Sequence, residues 1–200
     1  MRIAVMGSGG VGGFIGGRLA HAGCDVRFVA RGEHLAAMRR DGLVIESDAQ
    51  STIRVPSVRT AEDPATLGPV DLVLVAVKLR DTEAAAAAIR PFMIPGTAVL
   101  SMQNGVTKDD VLRDRFGAEA VLGGVTYVAT RIARPGVIGQ TGSMQRVVIG
   151  EYDGSRSRRI ELLHQWLTRA GLATEVSSDI RRTLWEKFVF LVGLSATTAI

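Results

Sequence analysis

A single cysteine, Cys24, occurs in 200 residues. One thiol makes no intramolecular disulfide, and no Cys/His spacing has the form of a zinc site, so a reducing, cytoplasmic setting and no metal are expected. Aromatic residues are only 5% of the chain, too few to build the stacking platforms of a nucleic-acid-binding surface. Charge does not supply one either: the formal net charge is +4, with 14 basic and 14 acidic groups in residues 1–130, so the whole excess lies in residues 131–200. No nucleic-acid partner is expected. The apolar run Phe188–Ile200 is 13 residues long, short of the roughly 20 that a membrane span requires. The opening MRIAVMGSGG has too few apolar residues for an export signal, and no membrane partner is expected. Lysine is scarce as well: of 24 basic residues only Lys78, Lys108 and Lys187 are not arginine.

What is present is a folding sequence. Hydrophobic residues make up 46% of the chain and glycine adds 23 positions, well above what a disordered chain carries. Arg2–Met6 reads as a short strand, followed by a glycine-rich turn and a helix-spaced segment Val11–His21. Asp25–Ala30 is a second strand, Gly32–Asp41 a helix, and Leu43–Glu46 with Thr52–Val55 a hairpin. Val70–Val77 is Val-rich and almost wholly apolar, as expected of a parallel strand covered on both faces. A helix Asp81–Arg90, a strand Thr97–Met102 and a helix Thr107–Phe116 continue the alternation. Strands are predicted at Val121–Ala129, Val137–Gln140 and Arg146–Gly150, then a helix Arg156–Ala170, a strand Leu172–Val176 and a final helix capped by Ser177–Asp179. The pattern predicts an α/β fold, a Rossmann-type doubly wound sheet with antiparallel additions, whose ligands bind beyond the carboxyl ends of the strands.

Gly7-Ser8-Gly9-Gly10-Val11-Gly12 fits G-x-G-x-x-G at the junction of the first strand and helix. There the first glycine permits a tight turn, the second lets backbone approach a pyrophosphate, and the third allows close helix–strand packing. Nineteen residues on, at the end of the second strand, stands Arg31 where an NAD-preferring site carries an acid. A guanidinium suits a 2′-phosphate, so the sequence favours NADP(H). Lys78 at the end of the fourth strand and Asn104-Gly105 after the fifth fall on the same sheet edge. By itself Lys78 reads equally well as a strand terminator, and Asn104-Gly105 reads by default as a turn.

Taken together, the glycine loop, Arg31, Val77-Lys78, Gln103-Asn104-Gly105 and Leu184-Trp185-Glu186-Lys187 resemble the ketopantoate reductase family, over the whole chain. The resemblance implies NADPH-dependent reduction of a small 2-oxo acid to a 2-hydroxy acid. It also implies a Rossmann-type cofactor domain, residues 1–176, and the start of an all-helical substrate and dimerisation domain, residues 177–200, of which only the first helix is expected here. By resemblance, Gly7–Gly12, Arg31, Lys78 and Asn104 hold the cofactor, Lys78, Leu191 and Ser195 meet the substrate, and Asn104 and Lys187 are catalytic. Lys187 suits a general acid, since an ammonium both stabilises developing oxyanion charge and releases a proton, which an arginine does not. Positions 191 and 195, on the same helix face as 187, are typically Asn in that family. Leu191 and Ser195 depart from this, so ketopantoate itself is expected to be a mediocre substrate.

Phe188–Leu194 is apolar on every side, and a helix of that kind needs cover all round; self-association through it is expected. A cofactor-binding module without turnover is the alternative reading. Cys24 is expected to be a core thiol, His21, His34 and His164 satisfied or solvated histidines, Trp166 and Trp185 packing residues, and Arg156, Arg158 and Arg159 a solvated helix start.

Overall fold

The computed structural model describes residues 1–198, with side chains through Ser195. Ten strands form one curled sheet. Its parallel part holds β1 (Arg2–Met6), β2 (Asp25–Val29), β5 (Arg59–Ala61), β6 (Leu72–Val75), β7 (Ala98–Ser101) and the start of β8 (Val121–Arg134). These lie in the order β5-β2-β1-β6-β7-β8, the doubly wound arrangement with its reversal point between β1 and β6. The sheet then continues through β9 (Val137–Gly150), antiparallel to β8, and β3 (Leu43–Ser47), parallel to β9, to β4 (Ile53–Val55), while β10 (Ala173–Val176) pairs with the far half of β9.

Alternation along the central strands explains the two-sided core. Ile3, Val5, Leu72, Leu74 and Leu100 face one apolar cluster, while Ala4, Val73, Val75 and Val99 face the other. The first cluster closes over α1 (Gly10–His21), which the curled sheet wraps through Leu43, Ile45 and Ile138. Glycine makes this possible: a Cβ on Gly16 would lie 2.6 Å from the Phe28 ring, and one on Gly13 would lie 2.7 Å from Ile138. The second cluster is covered on the α3 (Thr82–Ala88) and α4 (Lys108–Phe116) side, through Ala86, Phe92 and Leu112. Helix α2 (Gly32–Asp41) follows β2, and α5 (Arg158–Arg169) packs Ile160, Leu163 and Leu167 into the first cluster. Helix α6 (Ile180–Thr198) is tied to the sheet at its start, where Ile180 and Leu184 meet Val125 and Val148. Asp179 caps it by accepting from the Arg182 N–H at 3.0 Å.

Four expectations need correction. The apolar segment 70–77 is a strand only over Leu72–Val75, so Lys78 lies three residues beyond the strand end. Strand β5 was not expected; it has three residues, and its pairing with β2 supplies what its sequence does not. The three strands predicted in 121–150 are two, each 14 residues long. Residues 130–134 are mostly exposed yet stay paired with residues 137–140 of β9, while a register shift between Val128 and Ala129 leaves residues 142–144 bulged out of the ladder. Finally, Arg159 is not simply solvated: it makes a paired contact with the buried Glu151 carboxylate, at 2.7 Å to each oxygen.

Candidate functional site

A cavity of about 1430 Å³ opens at the carboxyl ends of β1, β2, β6 and β7, where an open parallel sheet binds its ligands. It exceeds the roughly 300–1,000 Å³ of an ordinary small-molecule pocket. The glycine loop forms its floor. Gly7 adopts φ +97°, and a Cβ there would lie 2.8 Å from Val77 Cγ1. A Cβ on Gly12 would fall 2.1 Å from the Gly7 carbonyl oxygen, so neither position admits another residue without moving the turn. Gly9 is different: a Cβ there would meet nothing within 4 Å, because its backbone faces the open cavity. The first amides of α1 point the same way, a ready anion site at a helix N-terminus. The donor set, the open backbone and the volume fit a dinucleotide.

Two residues hold this loop, and neither role is visible in the linear sequence. Ser8 is buried and turns its hydroxyl inward, donating to the Val29 carbonyl at 2.9 Å. His34, on the cavity wall in the first turn of α2, spans two elements. Its Nδ1 accepts from the Gly136 N–H at 3.0 Å, which leaves Nε2 to donate to the Ser8 carbonyl at 2.9 Å. Burial holds the His34 pKa below its ordinary value, against the opposing pull of the Ser8 carbonyl. It is a satisfied histidine, as expected, and it fastens the glycine loop to the β8–β9 turn.

Arg31 is exposed on the cavity rim at the N-cap of α2. Glu62, just after β5, brings a carboxylate to the cavity lining, which sequence reasoning missed along with β5. Lys78 and Asn104 are exposed on the same lining, after β6 and β7. Leu191 and Ser195 line it from α6, joined by Phe188 and Val192.

Lys187 lies behind Asn104, only 8% exposed. Its ammonium donates to Asn104 Oδ1 at 2.8 Å and to the Thr126 carbonyl at 2.6 Å, and it stands 5.5 Å from the centre of the Tyr127 ring. With Asn104 Oδ1 so engaged, the amide NH₂ is the edge left for a ligand. Burial in the first place, and the nearby Lys108 charge in the second, bring the Lys187 pKa down to about 8. The third lysine was missed. Lys108 opens α4 in a run, Lys108-Asp109-Asp110, that reads as a solvated helix start, yet Lys108 and Asp109 are each 1% exposed. Lys108 Nζ donates to the Ser101 carbonyl at 2.9 Å and to both Asp109 oxygens at 3.0 Å, and the Tyr152 hydroxyl donates to the same carboxylate at 2.6 Å. Burial, then the Asp109 charge, pushes the Tyr152 pKa up.

Cys24 is a buried thiol donating to the Met1 carbonyl at 3.3 Å, its pKa raised to about 11 by burial. Trp166 packs against the core as expected, whereas Trp185 is 56% exposed and meets only the edge of Phe188 among the described aromatic rings. No helix among the described residues is long and apolar enough to cross a membrane.

The doubly wound sheet, the glycine turn and the polar cluster at the strand ends define a nucleotide-binding α/β protein of the Rossmann class. Residues 3–154 match the family described as ketopantoate reductase PanE/ApbA, and the chain belongs to that family. It is 35% identical to the 2-dehydropantoate 2-reductase of Halobacterium salinarum, over 100% of this chain and 65% of that protein. It is 30% identical to the uncharacterized oxidoreductase YkpB of Bacillus subtilis, again over 100% and 65%. The chain thus spans just under two thirds of the length of these relatives. Among solved structures, 2-dehydropantoate 2-reductase from Porphyromonas gingivalis superposes with a TM-score of 0.93 at 30% identity, covering 100% of this chain and 71% of that one. The Geobacter metallireducens enzyme gives 0.89 at 33%, covering 95% and 62%. A D-mandelate dehydrogenase solved with NADH shares the fold, with a TM-score of 0.83 at 22% identity and 94% and 60% coverage.

Proposed function

We propose that this chain carries the cofactor site and the acid of an NADPH-dependent reductase, an oxidoreductase that converts a 2-oxo acid to a 2-hydroxy acid in the cytoplasm. The observation that carries the reading is the contact of Lys187 with Asn104: two residues 83 positions apart meet at 2.8 Å, Asn104 on the lining of a dinucleotide-sized cavity and Lys187 directly behind it. Family membership supports it, since the matching relatives include proteins named as 2-dehydropantoate 2-reductases.

Gly7, Gly9, Gly10, Val11 and Gly12 hold the pyrophosphate through backbone amides, with Ser8 anchoring the loop, and Arg31 takes the 2′-phosphate. When bound, the reduced nicotinamide supplies a hydride to the substrate's carbonyl carbon. Lys78 and the Asn104 NH₂ orient the substrate's oxygens. Lys187 has three N–H donors and spends two on Asn104 and Thr126; the third meets the carbonyl oxygen, stabilises the developing negative charge and then transfers its proton. Leu191 and Ser195 bound the substrate from α6, and with Phe188 and Val192 they make that wall largely apolar. In this division residues 1–176 bind the cofactor and 177–200 open the substrate side.

The test is a titration and a screen. NADPH is expected to bind at least about tenfold tighter than NADH, because a charge-assisted contact from Arg31 is worth about 1.5–3 kcal/mol and must outweigh Glu62. Fluorescence titration checks this, and loss of the preference in Arg31→Ala ties it to that residue. Equal affinities would refute the NADPH assignment. NADPH oxidation is then followed with a series of 2-oxo acids, among which a branched apolar one is expected to surpass ketopantoate.

Outside the cavity, α6 exposes Trp185, Val189, Phe190 and Leu194, each at least half accessible. A second copy of the chain is proposed to cover this surface. Light scattering of the 200-residue chain is expected to show self-association that Phe190→Glu abolishes, and a monodisperse monomer would refute it.

A further inference from the structure

We infer that Gln103 is a positioning residue that ties the two loops at the cavity rim together and so sets the span between Lys78 and Asn104. The last ladder bond between the strands that precede these loops runs from the Met102 N–H to the Val75 carbonyl at 2.9 Å. Beyond it the two chains separate, one into the turn at Leu79–Asp81 and the other toward α4. Gln103 bridges the gap with a side chain only 7% exposed.

Every part of its amide is engaged. Oε1 accepts from the Ser101 hydroxyl at 2.9 Å, while Nε2 donates to Thr82 Oγ1 at 2.8 Å and to the Lys78 carbonyl at 3.3 Å. The partners fix which way the amide points. The Thr82 hydroxyl gives its one proton to the Leu79 carbonyl at 2.6 Å, so toward Gln103 it only accepts. A main-chain carbonyl only accepts as well. The NH₂ must therefore face Lys78 and Thr82, and nothing but a donor fits there. On the other side, the Ser101 hydroxyl also accepts from the Gln103 N–H at 3.2 Å, and the Ser101 carbonyl is gripped by Lys108. The segment leading into Asn104 is thus held from the core, and Gln103 carries that restraint across to the backbone of Lys78. An unpaired buried amide costs more than its bond is worth, so the two loops move together or not at all.

The inference rests on the cavity being a dinucleotide site, and the experiment separates the two. Gln103→Glu keeps the shape and the Oε1 acceptor but turns an acceptor toward the Lys78 carbonyl and Thr82. In the full chain it is expected to weaken NADPH binding about 5–20-fold by fluorescence titration. Asn104→Ala is then made alone and on top of it. If Gln103 acts by placing these loops, the losses are less than additive, with a coupling of at least about threefold. Should Gln103→Glu not fold, Gln103→Met, which keeps the length and removes the donors, carries the same cycle. Additive losses, or unchanged NADPH affinity in either folded variant, would overturn the role of Gln103 and leave the cofactor site standing. A wild-type chain that binds no NADPH would overturn both.

Discussion

Replacing Lys187 by alanine is expected to lower kcat for 2-oxo acid reduction by about 10²–10⁴ with little change in NADPH affinity, the signature of a lost general acid. Steady-state kinetics with a parallel cofactor titration measures both. Lys187→Arg keeps the charge but releases no proton near neutrality, so it is not expected to restore the rate; full activity in that variant would reduce the role to electrostatics. The pH profile gives a second readout. A general acid works in its protonated form, and burial and Lys108 hold the Lys187 pKa at about 8. The rate is therefore expected to be sustained below pH 8 and to fall as pH rises through it. An ordinary lysine would hold its proton to about 10.4. A profile flat to pH 10 would place the proton elsewhere.

The second large effect is on stability. Lys108→Met removes the cation that faces Asp109 at 3.0 Å and leaves a carboxylate buried with the Tyr152 hydroxyl. Breaking such a pair from one side costs about 3–5 kcal/mol, a fall of roughly 6–20 °C in Tm for a chain of this size. Removing both charges as Lys108→Met/Asp109→Leu is expected to recover a large part of that loss, since the cost lies in the stranded charge and not in the missing attraction. Thermal melts of the two variants decide it. Equal destabilisation in both would mean that shape, not charge, makes this corner of the core.

Where the chain's pattern is local, the sequence reads true. The glycine turn sits between β1 and α1 as its spacing demands, because the tight turn and the close helix–strand contact are demands on consecutive residues. The two-sided burial of β6 is written in its unbroken Leu-Val-Leu-Val. The register of α6 is legible too, since a period of 3.6 carries Leu191 and Ser195 to the cavity wall. The reading fails where a neighbour does the work. The mostly exposed residues 130–134 stay in a strand because β9 supplies the ladder, and β5 exists only against β2. Nothing in Lys108-Asp109-Asp110 announces a buried ion pair; α4 has to be docked under Ser101 and Tyr152 before that ammonium loses water.

By itself, then, the sequence determined the strand–helix alternation, the glycine-turn geometry and the choice of lysine over arginine at positions 78 and 187, because each is a property of a residue type or of spacing along the chain. Only the tertiary structure decided that Asn104 and Lys187 touch, that Lys108 stands close enough to lower the proton affinity of Lys187, and that Gln103 and His34 brace the loops around the cavity. Those contacts join residues up to about a hundred positions apart, and their energy comes from desolvation and hydrogen-bond partners that exist only once the curled sheet has closed over α1 and received α6.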